Sequence, residues 1–139
     1  FAGRDELILA LGYRALEMVT QAITASALEQ GSVHDALVRL VEALIPLGDK
    51  LHFLLNEPIL DLHPDFTVAD RATQTPILEL IQRGQANGEL RPDLSPEWVL
   101  HVLNYALYAA WHGVHDGLLA RKEAARVLIT TVFHGITLR

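Results

Sequence analysis

Cysteine is absent from the 139 residues. That removes disulfide staples, thiolate nucleophiles and zinc–thiolate sites at once, and it fits a reducing cytoplasm, the expected location. Basic residues are in deficit as well: 11 Lys and Arg against 17 Asp and Glu leave a formal charge of −6. Phosphate backbones are gripped by clustered cations, so the chain is not expected to hold nucleic acid by itself. Long apolar runs are missing too. The N-terminal run LILALGYRALEMV is broken by Arg14 and Glu17 and starts acidic, which excludes a bilayer span, a signal peptide and a membrane partner. Glycine-rich phosphate loops and a G-x-S-x-G elbow do not occur. The few serines, Ser26, Ser32 and Ser95, fall where helix ends explain them. No catalytic residue and no cofactor is therefore expected.

What is present reads as helix throughout, in one domain large enough to bury a core. Apolar residues Leu7, Ile8, Leu11, Ala15, Met18, Val19 and Ala22 recur at helical spacing and predict a first helix over about 4–28, ending at Gln30-Gly31. Asp5 and Glu6 suit its positive N-terminal end. Ser32 is placed to cap a second helix carrying Val33, Leu37, Leu40, Val41 and Leu44. Pro46 and Gly48 should divide it from a short helix holding Leu47, Leu51, Leu54 and Leu55. Residues 58–66 read as a loop or single turn. A helix over about 67–87, kinked or interrupted at Pro76, should end at Asn87-Gly88. Ser95 followed by Pro96 is a strong start signal for a helix to about 116, stopped by Gly117. A last helix over about 121–134 should end at Gly135. No run shows the period of two that marks a strand. The expected fold is an all-α bundle of about six helices.

The helix from Trp98 to Asp116 carries the most functional information. At about 100° per residue, His101, Asn104, Tyr105, Tyr108, His112 and His115 share one arc. Val99, Leu103, Ala106, Ala110, Gly113 and Gly117 take the other. Small residues allow close helix packing, and the last helix repeats the pattern in Ala124, Leu128, Thr131 and Gly135. Two such helices per chain predict an isologous four-helix dimer interface, the alternative being packing inside one protomer. The aromatic arc predicts an effector pocket bordered also by Met18, with His52 and Phe53 from the middle helices. Its alternative is a core face whose polar tips find backbone partners. His101, His112 and His115 have metal-ligand chemistry but no carboxylate at a matching position, and no metal site is expected. Asp61, His63 and Asp65 alternate beside Pro64 and read as solvated loop residues.

FAGRDELILAL resembles the corner after the recognition helix in tetracycline-repressor-type (TetR family) regulators, matched at Phe1, Gly3, Arg4, Asp5, Glu6 and Leu7. LIQRGQANGELRPDLSPEWV (80–99) resembles that family's passage into its first dimerisation helix, and ARKEAARVLITTVFHGI its final helix. The resemblance implies a TetR-like C-terminal domain that dimerises through a four-helix bundle. It implies residues 1–3 as the remnant of a DNA-binding helix-turn-helix head lying upstream, and 4–139 as the effector-binding and dimerisation domain. It places Arg4 near the DNA backbone. The implied function is a ligand-responsive repressor: a homodimer taking a moderately hydrophobic small molecule, with operator DNA held only by the head. An all-α pairing module without ligand, or a small helical enzyme or metal sensor, are the other readings.

Overall fold

The computed structural model describes residues 2–137, apart from the side chains at 2, 55 and 56. Its α-helices are α1 (Ala2–Ala25), α2 (Val33–Leu44), α3 (Gly48–Leu51), α4 (Pro58–Asp61), α5 (Pro64–Ala86), α6 (Pro96–His115) and α7 (Ala124–Ile136). Short 3-10 segments at Ile45–Leu47, His52–Asn56 and Arg121–Glu123 connect them. The all-α class is as expected; among the described residues the sole β feature is an isolated bridge between Leu90 and Thr137.

The helix ends follow their capping chemistry. Ser32 accepts from the Asp35 amide at 3.1 Å, and Ser95 from the Trp98 amide at 3.1 Å. Each satisfies an N–H that has no partner within its helix. Gly88 and Gly117 close α5 and α6 with φ of 86° and 79°, a region open to glycine. Arg39 collects the carbonyls beyond α1, donating to Ser26, Ala27 and Gln30 at 2.8–2.9 Å. Glu89 lies beside the start of α2. Burial pushes its carboxyl up, but the Val33 amide and the Asn87 side chain outweigh that and hold it below the usual range.

Five boundaries differ from the sequence expectation, among them the start of α5, which begins at Pro64 rather than about 67, directly after the α4 turn. Ala2 and Gly3, read as the tail of a preceding element, form the first turn of α1, while Phe1 lies outside the described residues. At its other end α1 stops at Ala25, because Ser26 turns its hydroxyl back onto the Ala22 carbonyl at 2.7 Å and Ala27 takes φ 49°. Pro76 leaves α5 uninterrupted: it has no N–H to donate, and the Thr73 and Thr75 hydroxyls bond the carbonyls of Ala69 and Arg71. Gly135 does not end α7, which runs to Ile136.

The core joins α2, α5, α6 and α7, with Val33, Leu37, Ile81 and Val99 almost fully buried. α2 turns Val33, Ala36, Leu37, Leu40, Val41 and Leu44 into it, an amphipathic stripe at helical spacing. Two glycines set approach distances. A Cβ on Gly12 would lie 2.8 Å from Leu60 and 2.9 Å from Phe66, so α1 can lie directly on α4 and α5. A Cβ on Gly48 would overlap the Trp111 indole, whose Cγ would be 2.7 Å away. Trp111 is buried and donates its Nε1–H to the Leu44 carbonyl at 3.2 Å. Gly48→Ala should therefore cost about 1–3 kcal/mol in chemical denaturation, as overpacking does. An ordinary helical Gly→Ala gains roughly 0.5–1 kcal/mol, so unchanged or raised stability would contradict this packing.

Candidate functional site

The proline-capped turn α4, the long α5 and the two-faced α6 close over α1 to leave a cavity of about 410 Å³. Gly12, Ala15, Leu16 and Val19 form its α1 wall, and Leu51, Leu54 and Leu60 its apolar end. α6 contributes His101, Asn104, Tyr105, Leu107, Tyr108 and Trp111, and α5 contributes Phe66, Asp70, Gln74 and Ile77. The aromatic rings form a chain along α6. Tyr105 lies edge-on to Tyr108 at 5.5 Å between centroids, and Tyr108 is tilted against Trp111 at 5.9 Å. Apolar walls with a few polar groups are what a small-molecule site requires.

Three carboxylates line this cavity: Glu57, Asp61 and Asp70. Burial, reinforced by the charge of Asp61, pushes the Asp70 carboxyl above the usual range. The Tyr108 hydroxyl is raised by burial and by the charges of Asp70, Tyr105 and Asp61, and stays protonated as a donor. Gln74 carries a side-chain oxygen that is buried and accepts no hydrogen bond.

Of the predicted effector residues, Met18 and His112 line neither of two cavities, between which the rest divide. His101, Asn104, Tyr105 and Tyr108 line the main cavity. His52, Phe53 and His115 line a second one of about 350 Å³, behind Trp111, with Asp49 and Arg121 paired at 2.6 Å. His112 and His115 both meet His52, at 4.2 and 4.6 Å between ring centroids. His101 instead stacks near Trp98 and Tyr105, so the three histidines of α6 are not brought together. Among the described residues no group of three His, Cys, Asp or Glu is arranged to hold a metal ion.

Met18 is not on the cavity wall. It packs against the core, one step round α1 from Val19. The acidic side was missed from sequence: Asp61 is exposed as expected but not in a loop, because Pro58 starts a helical turn that brings it to the cavity lining. Asp70 and Gln74, four residues apart on one face of α5, could have been found by the rotation applied to α6. Arg4 is exposed on the first turn of α1, its guanidinium 3.5 Å from Glu57.

The small-residue stripe needs correction as a surface for a partner. Val99, Leu103, Ala110, Ala124 and Leu128 are 2%, 8%, 4%, 0% and 4% exposed, within the protomer's own core. Gly113 is buried beneath Leu119, and Ala106 is half-buried against the core. Gly117 lies past the end of α6, where its φ of 79° terminates the helix. Thr131 and Gly135 alone of that set face outward from α7. Small residues serve close packing within a chain as well as between chains, and here α6 and α7 use them on each other and on the core.

No family model matches the sequence. The chain is 27% identical over 137 residues to the HTH-type transcriptional repressor LfrR of Mycolicibacterium smegmatis, covering 96% of this chain and 68% of that protein. The crystal structure of the TetR-like regulator LfrR from Mycobacterium smegmatis in complex with proflavine matches with a TM-score of 0.79. There the identity is 24%, over 98% of this chain and 74% of that one. A protein from Shewanella sp. PV-4 assigned to the tetR family of transcription regulators matches with a TM-score of 0.74 and 20% identity, over 100% and 78%. The fold is TetR-like, and the resemblance to TetR-type regulators read from the sequence holds over nearly the whole chain. The matched proteins are described as transcriptional regulators. No helix among the described residues is long and apolar enough to cross a membrane.

The imidazole cluster has a pH consequence. Burial and the neighbouring His112 and His115 lower the His52 pKa, against a smaller opposing effect of Asp116. The unfolded chain then takes up the proton more readily, so stability is present above an ordinary histidine pKa of about 6.5 and is lost as pH falls below it. Melting temperature should fall between about pH 7 and pH 5, and His52→Phe should flatten that part of the profile. An identical slope in the variant would remove His52 from this role.

Proposed function

We propose that these residues are the effector-binding and pairing part of a TetR-type transcriptional regulator that acts as a repressor. The observation that carries the reading is the aromatic-walled cavity between α1, α5 and α6, in a fold shared with a regulator whose structure holds proflavine. In this reading the ligand is a small, flat, mainly apolar molecule lying against Tyr105 and Tyr108. DNA is held by a helix-turn-helix of the kind named for LfrR. Residues 4–139 carry sensing and pairing, and their charge of −6 is unsuited to gripping phosphate.

α1 is the natural lever between ligand and DNA. It carries Arg4 at its start and lines the cavity about two to four turns later, from Gly12 to Val19. A ligand that favours one position of α1 shifts the population between DNA-binding and released forms, by its difference in affinity for the two. Pairing of two chains uses, in this proposal, the exposed flank of α6 and α7. Trp98 and Tyr105 stand 54% and 60% exposed on α6, in line with the exposed Ala109 and His112, and α7 exposes Thr131 and Gly135. Large exposed aromatic side chains in one line mark contact surfaces.

The test is a thermal-shift titration with proflavine alongside light scattering. Wild type should be a dimer and should melt higher as the dye is added, since a ligand of the folded state stabilises it. Tyr108→Ala should weaken the response about tenfold or more, as loss of an aromatic contact does, while leaving the dimer intact. Trp98→Glu should give monomers. A Tyr108→Ala protein that is monomeric yet responds normally would reverse the assignment of the two flanks.

A further inference from the structure

The charge inside the cavity selects among the ligands just described. Its lining includes Glu57, Asp61 and Asp70 but neither lysine nor arginine. Glu57 has Arg4 as a partner, outside the cavity. Asp61 and Asp70 have no hydrogen-bond or ion-pair partner among the described residues, although each lies near enough to Tyr108 to act on its hydroxyl. Both are exposed residues on the cavity lining, and a carboxylate beside apolar walls attracts a cation more strongly than one in open water. One turn along α5 from Asp70, the Gln74 oxygen is a further acceptor without a donor. The faces of Tyr105, Tyr108 and Trp111 present π-electron density, which attracts cations. The two carboxylates, the Gln74 oxygen and the ring faces all favour a ligand with positive charge and N–H donors. An anionic effector, whether a carboxylate or a phosphate ester, would meet two like charges and neither lysine nor arginine.

We propose that the ligand of this cavity is a planar organic cation bearing N–H groups, its charge placed between Asp61 and Asp70 and one N–H given to the Gln74 oxygen. The inference rests on the cavity being the ligand site and adds the chemical class of what enters it. Asp70 and Asp61 are specificity determinants: they distinguish a protonated heteroaromatic from a neutral one of the same outline. Neither is needed for the fold, because neither holds another residue through a hydrogen bond or ion pair among the described residues.

Fluorescence titration with two dyes of similar tricyclic shape tests this: proflavine, a cation at neutral pH, and acridone, which is uncharged. Wild type should bind proflavine more tightly than acridone. Asp70→Asn should lose about tenfold or more of proflavine affinity, the usual effect of removing a charged hydrogen-bond partner, and leave acridone unchanged. Asp61→Asn should act in the same direction, with both variants melting no lower than wild type. Acridone binding as tightly as proflavine, or proflavine affinity unaffected in both variants, would overturn the inference while the cavity remained the ligand site. Failure of both dyes to bind would overturn the cavity reading along with it.

Discussion

The Trp111 indole is the fixed point on which the arrangement depends. It lies against Gly48, donates to the Leu44 carbonyl at 3.2 Å and is 5% exposed. These contacts fix the rotation of α6. With Trp111 locked, Tyr108 and Asn104, one and two turns earlier, must face the main cavity, while Val99, Leu103 and Ala110 must face the core. The same ring lines both cavities and so divides them. Apolar lining and aromatic edges fall on one side. The imidazole cluster, with the Asp49–Arg121 pair, falls on the other. A side chain that did not reach from α6 to α3 would leave α6 free to turn, and neither cavity would keep its walls.

Two routes connect the main cavity to the first turn of α1, and their magnitudes differ. The Arg4–Glu57 pair is exposed and 3.5 Å apart, and such pairs contribute about 0–1 kcal/mol. Direct packing of α1 is the stronger route. Gly12 brings its backbone against Leu60 and Phe66, and Tyr13 stands edge-on to Phe66 at 5.4 Å. A ligand that displaces Phe66 or Leu60 therefore acts on α1 as a rigid body. Coupling energies of roughly 1–3 kcal/mol suffice for a switch, and packing of this kind is of the right size where the surface pair is not.

Much of the fold was legible because it is written in local chemistry. Ser32, Ser95, Pro96, Gly88 and Gly117 act through their own backbones and near neighbours, and each sits where its residue type requires. The aromatic arc of α6 was legible for the same reason, since rotation along a helix is a local property. What was not legible depends on which helix lies opposite. The small stripe suits a partner chain and a neighbouring helix equally, and tertiary packing put it inside. Met18 and Val19 differ by one residue, and the position of α4 over α1 decides which of them meets the cavity. Asp61 reads as a loop residue until Pro58 is seen to begin a turn, and Asp70 gains its meaning only from Tyr108 across the cavity.

The most direct measurement is a two-dimensional amide and indole NMR titration of the 139-residue chain with proflavine. Trp111 reports on both cavities, whereas Tyr108, Asn104 and Asp70 belong to the first and His52, Phe53 and His115 to the second. The account predicts saturable shifts at the Trp111 indole N–H and at the amides of Asn104, Tyr108, Asp70 and Gln74, continuing along α1 from Val19 toward Gly12. Shifts confined to His52, Phe53 and His115, or none that saturate, would contradict it.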